Sequence, residues 1–188
     1  NAITLSDVDT ANGLITITAL GAITATDVVS STDADANDIS LSGTSIGVGV
    51  VNAGSTAGDV TLTASTGAIT DNNGINVNVT ADLLTATSST GINLDTTVNT
   101  LDASVTGIGA ITLDETNDIT LSDVDTANGL ITITAVGAIT ATDVVSSTDA
   151  DANDISLSGT SIGVGVVNAG STAGDVILTA STGAITDN

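Results

Sequence analysis

The feature that most constrains this chain is an internal repeat. Residues 1–72 recur at 117–188, an offset of 116 residues, and 69 of the 72 positions are identical. The three exceptions are Ala2 against Asp118, Leu20 against Val136 and Thr61 against Ile177. The chain thus holds one full unit, 1–116, and a partial second unit, 117–188, with no linker between them. Tandem copies are the signature of array architectures, in which each unit buries its apolar face only against its neighbour. Near-identity between copies points to a protein whose useful property is length. Because it starts at Asn1 and stops at Asn188 in mid-pattern, the chain is expected to be a window on a longer protein.

A finer period lies inside the unit. Cut at Gly13, Asp38, Gly58, Asn76, Asn93 and Gly109, it divides into six segments of 16 to 25 residues. Their mean is a little over 19. Each opens with an alternating strand, at 14–18, 39–42, 60–63, 77–80, 94–97 and 111–114. Most carry a second strand, as at 22–25, 46–50, 84–87, 101–105 and 119–122. Turn residues such as Asn12-Gly13 and Asn72-Asn73-Gly74 separate them. Alternation puts Ile, Val and Leu on one face and Thr, Ser, Asn and Asp on the other. One segment cannot bury that apolar face alone, whereas stacked segments build a continuous aliphatic core.

The expected fold is therefore all-β, a parallel β-helix (β-solenoid) with about 19 residues per coil and six coils per unit. At about 4.8 Å per coil, a unit spans roughly 29 Å of rod. The competing fold is an array of antiparallel sandwiches. Sandwich cores are usually filled in part by aromatic rings, and this chain has none. Small residues such as Ala25, Ala86 and Ala103 suit the tight interior of a coil.

Segments of the form Gly-Ala-Ile-Thr, Gly-Asp-Val-Thr-Leu-Thr-Ala and Leu-Asp-Ala-Ser-Val-Thr-Gly-Ile-Gly resemble the repeats of large bacterial surface proteins. These are the filamentous-haemagglutinin-like and autotransporter-type adhesins with right-handed parallel β-helix shafts. The resemblance covers the whole chain and rests on repetition and composition together. It implies secretion across a bacterial outer membrane, an extracellular or cell-surface location, and a role as shaft, adhesin or surface fibre.

The alphabet narrows function further. Acidic residues number 22 against no Lys, Arg or His, and Cys, Met, Pro and aromatic residues are absent. Without His or Cys there is no nucleophilic triad, ordinary zinc site or disulfide. Without Lys or Arg there is no cationic phosphate cradle and no nucleic-acid face. No apolar run approaches the roughly 18 residues that span a membrane. The chain is expected not to be an enzyme. Its high charge is not a sign of disorder, because 41% of residues are hydrophobic and mean hydropathy is +0.46. The carboxylates are expected to coat an ordered rod, and the expected partner is the chain itself, continued end to end.

Candidate sites are few. Asp33, Asp35, Asn37 and Asp38, repeated as Asp149, Asp151, Asn153 and Asp154, have a D-x-D-x-N spacing that wraps a calcium ion in some loops. The Gly and Glu that complete an EF-hand are missing, and Asp and Asn are also ordinary turn formers. Calcium is the one candidate ligand, not a required cofactor. Asp7 with Asp9, and Asp123 with Asp125, form a weaker pair. This gives an alternative function, a calcium-dependent surface adhesion module. A remoter one is ice binding, through an outward ladder read as Thr16, Ser40, Thr61, Asn78, Asp95 and Thr112. Asn78-Val79-Thr80 is a glycosylation sequon, expected to be inert.

Overall fold

A computed structural model describes residues 1–188. It contains eighteen strands and no helix, and every strand pairing is parallel. The chain is a parallel β-solenoid. Antiparallel hairpins of the sandwich alternative do not occur.

Two columns of strand register define the rod. The first passes through Ile3, Ile23, Ile46, Ile69, Ile92, Ile111, Ile131, Ile155 and Val176. The second passes through Ile15, Ile39, Val60, Leu84, Leu101, Leu121 and Ala141. Each position stacks on its equivalent one coil away, so the apolar residue of every pair falls inside. The interior is one cluster of 41 aliphatic residues, with Ile39, Leu41, Ile46, Leu62, Leu84 and Leu113 among those fully buried. Fully burying such a side chain is worth about 1.5–3 kcal/mol, and here only the next coil supplies the cover.

The coil is longer than the 19-residue segments suggest. Successive steps along the first column are 20, 23, 23, 23, 19, 20, 24 and 21 residues, and the coils lie about 21 residues apart. The six-segment division counts one half-coil too many. Residues 58–75 and 76–92 are not two coils, because Val60 steps directly to Leu84. The strand at Val79 instead continues the first face, where Val79 pairs with Val51. The intervening stretch 72–78 is a loop hung on that face. A local alternation looked like a new coil because strand periodicity does not say on which side of the rod a strand lies.

The repeat is consequently five and a half coils long. Ile3 lies in the first column, but its equivalent Ile119 belongs to a strand in the second, whose Leu121 stacks on Leu101. Conversely Ile15 lies in the second column and its equivalent Ile131 in the first. The second copy is built from the same residues turned half a revolution about the axis. The exchange is made by Ile92–Ile108, a 17-residue strand that runs through both columns. It pairs with Val79–Ser88 on one side and with Ile111–Glu115 and Ile119–Asn128 on the other. Irregular register between Leu101 and Asp102 absorbs the change from one strand type to the other.

Candidate functional site

The acidic loop joins Ile23–Ser30 to Ile39–Gly43 in the first copy and Ile139–Ser146 to Ile155–Gly159 in the second. The half-turn places the two loops on opposite edges of the rod. Their internal wiring is nearly the same. Asp33 Oδ1 accepts from the Ala57 N–H at 2.8 Å and the Gly58 N–H at 3.2 Å. Its Oδ2 accepts from the Thr56 N–H at 3.0 Å and the Thr56 hydroxyl at 2.6 Å. In the second copy Asp149 Oδ1 accepts from the N–H groups of Ala173 and Gly174. Its Oδ2 takes those of Ser171 and Thr172 and the Thr172 hydroxyl.

This is an anion seated in a nest of backbone donors, and the donors belong to the following coil. Gly54 makes the approach possible. Its φ is +93°, and a Cβ there would stand 2.4 Å from the Asp33 Cγ. Gly170 repeats the arrangement against Asp149, with φ at +103°. The Thr56 hydroxyl, then the backbone donors, hold Asp33 below its ordinary value of 3.8 against a desolvation effect that raises it. Asp149 is held well below the usual carboxylate range by the Thr172 hydroxyl and by the N–H groups of Ala173, Gly174 and Ser171.

The remaining members of the set are dispersed. Asp38 Oδ1 accepts from the Asp59 N–H and Asp154 Oδ1 from the Asp175 N–H. Asn37 and Asn153 are buried and close the loop by donating to the Thr32 and Thr148 carbonyls, both at 2.7 Å. Asn153 also donates to Asn128 Oδ1. Asp35 and Asp151 are exposed to solvent. No group of three or more carboxylates is gathered where one ion would touch them all. In this structure Asp33 and Asp38 clamp their coil to the one that follows.

The weaker acidic pair is an electrostatic feature. Desolvation, then neighbouring Asp7 and Asp27, push Asp9 up. Desolvation, then Asp125, Asp102 and Asp143, do the same to Asp123. The Thr ladder also differs from its sequence reading. Thr16, Ser40 and Thr61 do stack, but the column continues to Thr85, not to Asn78. Asn78 is buried, and its amide donates to the Val48 carbonyl, Asp71 Oδ1 and Asn73 Oδ1. Its oxygen accepts from the Asp95 N–H. That burial closes the sequon to modification.

Sequence reasoning passed over Glu115, the chain's single Glu, as a site. It is buried at the boundary between the copies. Its Oε2 accepts from the Thr96 hydroxyl at 2.7 Å and the Val98 N–H at 3.1 Å. Its Oε1 accepts from the N–H groups of Thr116 and Asn117. Desolvation raises its pKa, and these hydrogen bonds, led by that of Thr96, oppose the rise. Beside it lies an open pocket of about 250 Å³, walled by Ile75, Val77 and Val136 and flanked by Asp95 and Asp114. Its one sequence signal is that a lone Glu stands where the paired strands carry Thr96 and Ala135.

Compared with known protein families, curated proteins and solved structures, the chain gives no match.

Proposed function

We propose that this chain forms part of the shaft of an extracellular bacterial filament or giant surface adhesin. The observation that carries the reading is the unbroken ladder across the repeat boundary. Ile92, Ile111 and Ile131 stack in one column, and Leu101, Leu121 and Ala141 in the other. One unit therefore passes into the next with no hinge, and a tandem array extends as a single rod. Tension along such a rod loads all the hydrogen bonds between two coils together, so they resist in parallel. The acidic coat, 13 carboxylates per unit, opposes lateral bundling at low salt and is screened at higher salt. The partner of each coil is another coil of the same kind, in the same chain or in one stacked on its end.

Electron microscopy of chains carrying two, four and eight units tests the proposal. Five and a half coils at about 4.8 Å give roughly 26 Å of added length per unit. Straight rods that lengthen by that increment support the shaft. Compact particles, or rods that bend at every boundary, overturn it.

A further inference from the structure

The geometry points to a second property of the rod: one face binds the surface of ice. The corrected ladder is the basis. In the first copy Thr16, Ser40, Thr61 and Thr85 stand in one outward column. Their neighbours two residues on, Thr18, Ser42, Thr63 and Thr87, stand in a second column beside it. Register runs through these four strands without a shift. The result is a two-by-four grid of hydroxyls, spaced about 4.8 Å along the rod and roughly 6.7 Å across it.

Three observations characterise this grid. First, it is free of charge in a chain with 22 acidic residues. The carboxylates of Asp38, Asp59 and Asp82 line one edge of the grid, Asp82 within the strand that carries Thr85 and Thr87, and the next coil resumes charge with Asp102. Second, its hydroxyls are uncommitted. Thr32, Ser65 and Thr106 donate to carbonyls of a neighbouring coil, whereas no hydroxyl of the grid bonds to another protein group. Third, the full grid occurs once: on the opposite face the half-turn leaves only two rows, Thr132 with Thr134 and Ser156 with Ser158, bounded by Asp114 on one side and by Ile177, in place of Thr61, on the other.

The chemistry that recognises such a surface is a solid with hydroxyl-like sites at fixed spacing. A single hydroxyl hydrogen bond gains little net free energy over its bond to water, and a soluble ligand would touch only one or two positions. A crystal face meets all eight at once, and their contributions combine multivalently. Serine and threonine both donate and accept, as lattice water does. The restricted χ1 of Thr keeps the grid ordered before contact, which lowers the entropy lost on binding. Charged groups would carry their own hydration shells into the contact, which accounts for their exclusion here.

The test is adsorption of the fluorescently labelled 188-residue chain to a growing ice crystal, with recrystallisation as a second readout. The expected result is a labelled, shaped crystal and slowed recrystallisation. Thr61→Lys with Thr87→Lys should reduce both to the level of an unrelated protein. Thr26→Lys with Thr142→Lys adds the same charge away from the first grid and should leave both unchanged. Circular dichroism confirms that each variant keeps its strands, and if the first pair fails to fold, Thr61→Asp with Thr87→Asp takes its place. A folded chain that stays out of ice overturns the inference. So does adsorption unaffected by the grid variants, or binding to crystalline polysaccharide and not to ice. None of these outcomes bears on rod length, so the shaft reading stands or falls separately.

Discussion

Val60 and Val176 are the same position of the repeat, yet Val60 is fully buried and Val176 is 42% exposed. Ile69 and Ile185 differ likewise, one fully buried and the other 48% exposed. Local sequence is almost unchanged between them. What differs is the neighbour: Val60 is covered by the coil carrying Leu84, while within residues 1–188 no coil is stacked beyond Val176. The loop clamp behaves in the opposite way. Asp33 and Asp149 hold equivalent donors although they sit on opposite edges, because each needs only the coil that directly follows it. A solenoid's stability is thus a sum of nearest-neighbour interfaces, and each residue's value is set by how many of its interfaces exist.

The largest expected effect breaks this contrast directly. Val60→Asp places an unpaired charge between two coils and should cost about 3–5 kcal/mol. In the 188-residue chain, where no coil covers it, Val176→Asp should cost about 1 kcal/mol or less. Urea unfolding of the two variants measures both, and equal losses would show that burial by the next coil is not what matters.

A smaller difference should separate two glycines. Gly74 has φ +71° and open space where a Cβ would go, so Gly74→Ala should cost about 1 kcal/mol for the left-handed backbone alone. Gly54→Ala also drives a methyl into Asp33, and should cost about 3 kcal/mol. Removing the obstacle with Asp33→Ala should make the two changes non-additive, which a double-mutant cycle reads.

The pH dependence should be smaller again and opposite in sign for the two kinds of carboxylate. Asp33 and Asp149 are lowered in the folded chain. Their contribution is present above the unfolded value of 3.8 and lost as pH falls through the folded one. Asp33→Ala with Asp149→Ala should therefore flatten the acid limb of a stability-against-pH curve. Glu115 is raised, so its contribution is full below 4.5 and declines as pH rises through its folded value. Glu115→Gln should remove that decline, as urea midpoints from pH 4 to 7 would show.

The smallest expected effect is that of a chelator. Because Asp33 and Asp38 are bonded to the next coil, removing divalent cations should leave the melting temperature unchanged. A fall reproduced by the change Asp35→Ala would instead place an ion in the loop.

Much of the fold was legible in single residues. Ile15, Leu41, Leu62 and Leu94 alternate with polar neighbours, and each points inward. The turn at Asn12-Gly13 also lies outside the strands as expected. The phase of the coils was not legible. Val77-Asn78-Val79-Thr80 alternates as well as any strand, but nothing local shows that Val79 stacks on Val51 across the loop 72–78. The candidate site was half legible. Asp33 stands out by its spacing, while its true partners, Thr56, Ala57 and Gly58, lie more than 20 residues away with no charge to advertise them.

The sequence by itself determined that this chain is a β array with an aliphatic interior and an acidic, hydroxyl-rich exterior. Those properties follow from a period of two and from the residue types available, and both are local. The tertiary structure decided that 116 residues make five and a half coils, so that successive copies face opposite ways. It also decided which carboxylates are clamps and which hydroxyls form a grid. These depend on strand register between coils, and register is a relation between residues that only stacking creates.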